Sequence, residues 1–198
     1  LRIQEPDKRN NDFVKIIKIV ANKFARFYIF VIRGTPMMVQ SLIFYYAIFN
    51  LFKRTGMSVT EINRVWSLFI SGLVTVSLNS TAYLAEVLRG GILAVDAGQM
   101  EAARSLGMTH WQAMRRVVFP QAIKNSLPAI GNEFIINIKD SSVLCVLGVS
   151  DLMFMTRSVA GIYYKGTECY LIAATVYLFL TYLSSLLLKT ITGRMTAP

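Results

Sequence analysis

Four stretches of the chain, residues 34–52, 65–88, 127–150 and 170–188, are long and apolar enough to cross a bilayer. About 20 apolar residues in a helix cover the hydrocarbon core. Within that core every backbone polar group must bond to another backbone group, which leaves helices or closed barrels. Apolar runs of this length select helices, so the expected fold class is all-α, a polytopic helical membrane protein. The first and last stretches carry no charge, and the second holds only Glu86, near its end. The third holds Glu133, Lys139 and Asp140.

Composition agrees. Hydrophobic residues make up 54% of the chain and charged residues 16%, against about 25% charged in soluble domains. A chain this apolar is not disordered. The formal charge of +10 does not suggest nucleic acid, because a nucleic-acid surface spreads its basic residues over a polar face. Two cysteines, Cys145 and Cys169, and a single histidine, His110, give neither a disulfide framework nor metal-ligand spacing. No G-x4-G-K-[ST] run occurs, so this chain has no P-loop with which to hydrolyse ATP.

The charge has an address. Fifteen of the 21 basic residues fall in residues 1–33, 89–126 and 189–198, and five fall in the two opposite loops. By the positive-inside rule the first set is cytoplasmic. Residues 1–12 form a polar lead-in. After them Lys15, Lys18, Asn22 and Arg26 recur at helical spacing. A basic amphipathic helix there suits an anionic membrane surface, or a connector between spans.

The third apolar stretch cannot face lipid all round. Three charges at depth cost roughly 7–10 kcal/mol on the insertion scale, and its eleven Leu, Ile, Phe and Val return only about 3–7 kcal/mol. Glu133, Asn137 and Asp140 stand at i, i+4 and i+7 and so share one face. That face is expected to line a cavity or a subunit interface. Asp140 with Ser141 either lines that cavity for a passing solute or the charges form internal ion pairs, Lys139 with Glu86 or Asp140 with a neighbouring span's donor. Asn79, Tyr83 and Glu86 form a similar stripe on the second stretch. It either completes the same cavity or packs helices together. Gln40 is a lone polar group in the first stretch. Asn79-Ser80-Thr81 matches a glycosylation sequon but lies inside an expected span.

The connection of residues 89–126 has its own grammar. Asp96 with Gln99 reads as a capping pair, and Thr109 with Gln112 as a capping box. Gly107 stands where the first short helix should stop. The second helix should end or kink at Pro120. Met108, His110 and Trp111 are expected to be exposed near the turn.

Glu101-Ala102-Ala103, three residues, Gly107, nine residues and Val117-x-Phe119-Pro120 resemble the EAA loop, EAA-x3-G-x9-I-x-LP, of ABC-importer permeases. RGTPMMVQ (33–40), NSTAYLAEVLRGG (79–91) and PQAIKNSLPAIGNEFI (120–135) leading to KDSS look like the polar amino-acid branch of that family. The resemblance implies a single permease domain over residues 1–198 with the type I importer fold. It implies that Glu101, Ala102, Ala103, Gly107, Met108 and Thr109 couple to an ATPase. Asp140, Ser141, Glu133, Asn137, Asn79, Tyr83 and Gln40 are the candidates for the substrate path. The chain would bind no cofactor or metal, with ATP and Mg held by the partner. Implied partners are an ATPase dimer, a second permease subunit (identical or related), an extracytoplasmic amino-acid-binding protein and membrane lipid. The implied location is the bacterial cytoplasmic membrane. Permeases of this branch usually have five spans, which implies one further span ahead of residue 1. Two other classes stand beside this reading. A secondary transporter calls for duplicated halves with broken spans, and no duplicated half is visible. A membrane scaffold would leave Asp140 without a task.

Overall fold

The computed structural model describes residues 12–196, and the side chains of residues 14–192. The lead-in with Arg2, Lys8 and Arg9 lies outside the described residues, as does the side chain of Arg194.

Helix α1 (Asp12–Gly34) meets α2 (Met37–Arg54) at 113°. The sequence dictates this elbow. Pro36 disfavours helical backbone at Thr35, and Pro36 itself is extended, with φ −63° and ψ 135°. The first apolar stretch, 34–52, is therefore helical only from Met37.

A short helix α3 (Val59–Val65) follows, opened by a capping box between Ser58 and Glu61. Lying between two apolar stretches, this segment is expected to be loop, although Ser-x-x-Glu is a recognisable start signal. Trp66 ends α3, and the Ser67 hydroxyl accepts the backbone N–H of Ile70 to open α4 (Leu68–Leu93). Helix α5 (Ala97–Ser105) and the four-residue α6 (His110–Ala113) form the connection to α7 (Phe119–Asp140).

Of the end or kink expected at Pro120, the end does not occur. Residues Met114–Val118 widen into a π-helical segment just ahead of it. The proline ring would strike the carbonyl of Arg116, four residues back. The wider turn relieves that contact, and α7 continues through Pro120 and Pro128. After Asp140 the rod tightens into a 3-10 segment, Ser141–Leu147, and ends at Gly148 with φ +91°. Helix α8 (Leu152–Tyr163), capped by Asp151, lies in a region expected to be loop, and α9 (Gly166–Thr196) closes the chain.

Helices α4 and α9 are each long and apolar enough to cross a membrane. Two bent pairs, α1 with α2 and the His110–Leu147 rod with α8, meet the same test as broken spans. The core supports a bilayer setting. The residues sealed between helices are small: Ser41, Ser71, Thr75, Ala82, Ala122 and Ser126 are almost wholly buried. Close approach of small side chains is how helices associate where lipid is as apolar as leucine. Large side chains such as Leu171, Ile172, Leu178 and Phe179 of α9 point outward.

Helix α7 is central, packing on α4 and α9. At the α4–α7 crossing a Cβ on Gly91 would lie 2.6 Å from the carbonyl oxygen of Ala122. Glycine is therefore required there for close approach.

Candidate functional site

Three groups of residues gather the sequence candidates. The first is the elbow. Gln40 is only 4% exposed. Its Nε2 stands 2.7 Å from the Ile32 carbonyl, 2.9 Å from the Thr35 carbonyl and 2.8 Å from Thr35 Oγ1. Its Oε1 accepts from Asn79 Nδ2 at 3.2 Å. Ile32 lies in the last turn of α1, where carbonyls have no helical N–H to meet, so the glutamine amide caps α1 from α2.

Arg33 supports the same corner. Its guanidinium stands 5.2 Å over the Tyr83 ring and 3.8 Å from Glu86. Glu86 is held at 2.6 Å by Arg89, one turn on. The Asn79, Tyr83 and Glu86 stripe thus makes its contacts with the elbow. The alternative of a Lys139 pair with Glu86 does not form, because two arginines, Arg33 and Arg89, occupy that carboxylate.

The second group lies between α4 and α7. Asn137 Nδ2 donates to Ser80 Oγ at 2.8 Å. Adjacent helical positions differ by about 100°, so Ser80 meets α7 while Asn79 turns to the elbow. Glu133 is half-buried on the same side, and Ser141 donates to the Ile138 carbonyl at 3.1 Å. Lys139 and Asp140 are both exposed, and neither makes an ion pair among the described residues. An open hollow of about 490 Å³ against Asn50, Lys53 and Arg54 lies at the far end of α2 and holds none of these candidates.

The third group is the connection between α4 and α7. Asp96 Oδ1 accepts the Gly98 N–H at 2.6 Å. Gln99 does not complete the expected pair. Its Oε1 instead accepts from Gln121 at 3.3 Å, tying α5 to α7. Gly107, at φ +85°, ends α5 with two bonds, Gly107 N–H to Arg104 and Met108 N–H to Ala103. The left-handed residue and the crossed pair of bonds make a Schellman stop.

The Thr109–Gln112 box then forms in both directions, at 3.3 and 2.9 Å. Ala103 and Ala113 are buried where the two short helices meet. Glu101, Ala102, Gly107 and Thr109 are exposed on the tip, while Met108 and His110 are half-buried. Trp111 is 72% exposed and Leu106 is 82% exposed. Leu106 lies outside the coupling residues that the EAA resemblance implies; its signal in the sequence is a leucine one residue ahead of a helix-stopping glycine. The result is a rigid, capped knob with an apolar tip.

The family assignment rests on the whole chain. Residues 17–197 match the family described as binding-protein-dependent transport system inner membrane component. The chain belongs to that family. It is a multi-pass inner-membrane permease, a transport subunit of the ABC importer class. It is 34% identical to the glutamine transport system permease protein of Escherichia coli, over 89% of this chain and 76% of that one. It is 37% identical to a probable amino-acid permease protein of Bacillus subtilis, over 90% and 76%. The nopaline transport system permease protein of Agrobacterium fabrum is 34% identical, over 84% and 68%. A crystal structure of an amino acid ABC transporter with histidines superposes with a TM-score of 0.75 at 45% identity, covering 91% of this permease and 78% of that chain.

Proposed function

We propose that this permease carries a polar amino acid inward across the bacterial cytoplasmic membrane. A separate ATPase dimer, holding ATP and Mg, drives it by bearing on the 96–120 connection. The permease itself contributes no ATPase site. An extracytoplasmic binding protein delivers the amino acid, and a second permease subunit completes the path.

The knob carries this reading. Its two helix ends are fixed by a Schellman stop and a reciprocal box, while Leu106 and Trp111 stand in the open. A rigid apolar tip with fixed termini suits docking in a groove and transmits displacement without bending. The 15-to-5 bias of basic residues supports a cytoplasmic position for it.

The substrate path runs along α7, with Asp140, Ser141, Glu133 and Asn137 as its polar lining. Gln40 is buried with both ends of its amide engaged, so it belongs to the wall rather than to the ligand. Exposed Lys139 and Asp140 support a second permease subunit, because charges left against lipid are costly. ATP drives transport only through differential affinity for two permease states.

The test is co-purification with the ATPase subunit, followed by an amino-acid panel. The proposal expects ATP hydrolysis that rises with one or a few polar amino acids and their loaded binding protein. Uptake driven by an ion gradient in the absence of any ATPase would contradict it and favour a secondary transporter.

A further inference from the structure

The geometry points to a polar lock, in which Gln40 and Asn79 fix the α1–α2 elbow to α4 so that the elbow follows the coupling knob. Gln40 is then a positioning residue for transport and not a ligand contact. The inference rests on the importer reading above.

Three ties join the elbow to one short stretch of α4. Tyr28 Oη donates to the Leu78 carbonyl at 2.6 Å. The Gln40 amide joins Ile32, Thr35 and Asn79. Arg33 lies over Tyr83 and beside Glu86. These ties end on residues 78–86 of α4, and α4 runs on only to Leu93 before Asp96 caps the knob. Only Ala94 and Val95 stand between the end of α4 and the residue that caps the knob.

Packing alone does not hold the corner. A Cβ on Gly34 would meet nothing within 4 Å, although Ile32 and Ser41 on either side of the bend are buried. Packing and hydrogen bonds hold the corner together, and the buried Gln40 amide makes the most of those bonds. A buried polar group left half-satisfied is worse than none; losing Gln40 removes the bonds across the bend as well as the tie to α4, and losing Asn79 removes the tie to α4, so either change should let α4 move without the elbow. Displacement of α4 would then not be passed to α2.

The test uses the full transporter in proteoliposomes, with Gln40→Met, Asn79→Leu and the double variant. The readouts are uptake per ATP hydrolysed and KM for the amino acid. Each single variant should lower uptake per ATP about five- to tenfold, with KM unchanged. The double variant should fall no further than Gln40→Met, because both remove one shared tie.

A raised KM with an unchanged uptake-to-ATP ratio would overturn the lock and make Gln40 a substrate contact. Lower thermal stability with an unchanged ratio would also overturn it, leaving a structural role only. Should Gln40→Met fail to assemble, Asn79→Leu, which removes a half-exposed group, decides between the same results. Wild-type uptake is the control. Its absence refutes the importer reading, whereas wild-type uptake beside unaltered variants refutes the lock alone.

Discussion

Replacing Gly91 with alanine tests the packing on which the connection hangs. The added Cβ would lie 2.6 Å from the Ala122 carbonyl oxygen and would overlap Ser126 Oγ, where ordinary contact begins at 3.4 Å. Helices α4 and α7 must then part by about 0.8 Å at this crossing to restore contact distance. A gap of that size forfeits roughly a quarter to a half of each neighbouring dispersion contact. It also stretches the Ser126 hydroxyl away from the Val87 carbonyl, already 3.4 Å distant. Overpacking of this kind costs about 1–3 kcal/mol. At roughly 2–4 °C per kcal/mol for a chain of this size, thermal unfolding of the purified complex should fall by several degrees.

Adding Ser126→Gly to Gly91→Ala should recover only part of the loss, because the backbone oxygen stays in place. Gly90→Ala is the control, since a Cβ there meets nothing within 4 Å. It should be neutral, or stabilising by about 0.5–1 kcal/mol through helix propensity. Wild-type stability in Gly91→Ala, or complete rescue by Ser126→Gly, would refute the close-approach argument.

Other positions give equally direct expectations. Gly107→Ala forces a side chain into left-handed backbone at φ +85°. It should cost about 1–2 kcal/mol locally and lower uptake per ATP while the purified complex remains assembled. Asp140→Ala should raise KM for the transported amino acid about tenfold and leave assembly intact; loss of assembly with normal affinity in the residual complex would assign Asp140 to structure instead. Glu61 carries a pH dependence. The Ser58 hydroxyl and backbone N–H donate to its carboxylate at 2.7 and 2.8 Å and hold its pKa below the usual range. A depressed carboxyl stabilises α3 above its unfolded pKa, and that contribution is lost as pH falls through the folded value. The protection of the Ser58 amide, its exchange rate compared with an unstructured chain at the same pH, should therefore fall on acidification below about pH 4, and Glu61→Gln should remove the dependence.

What the sequence discloses depends on the range of the interaction. The knob is legible because its signals are local: Gly107, Thr109 and Gln112 act within three residues of their partners. Helices α3 and α8 carry equally local caps, Ser58 and Asp151, but both sit beside short apolar runs in segments otherwise taken for loops. Pro120 marks a break in regular α-helix, but the sequence leaves a stop and a distortion open, and a π-helical turn lets the chain continue. The apolar runs disclose the membrane setting, yet not that two of them are halves of bent pairs. The α4 stripe shows the limit most clearly. Asn79 and Ser80 are neighbours in sequence, but one binds Gln40, 39 residues away, and the other Asn137, 57 residues away. No local pattern assigns adjacent side chains to different helices. The pairing of Glu86 with Arg33 is hidden for the same reason.

The central claim is that ATP hydrolysis in a partner is converted to amino-acid transport through the 96–120 knob. The decisive measurement is ATP hydrolysis and labelled amino-acid uptake in the same proteoliposomes, for the wild type and for Leu106→Asp with Trp111→Asp. The two changes place charge on the exposed apolar tip without touching its buried alanines. Wild-type uptake should require ATP, and in the double variant uptake should vanish while the ATPase subunit alone still hydrolyses ATP. Uptake that persists without ATP, or that survives in the double variant at the wild-type ratio, would contradict the account.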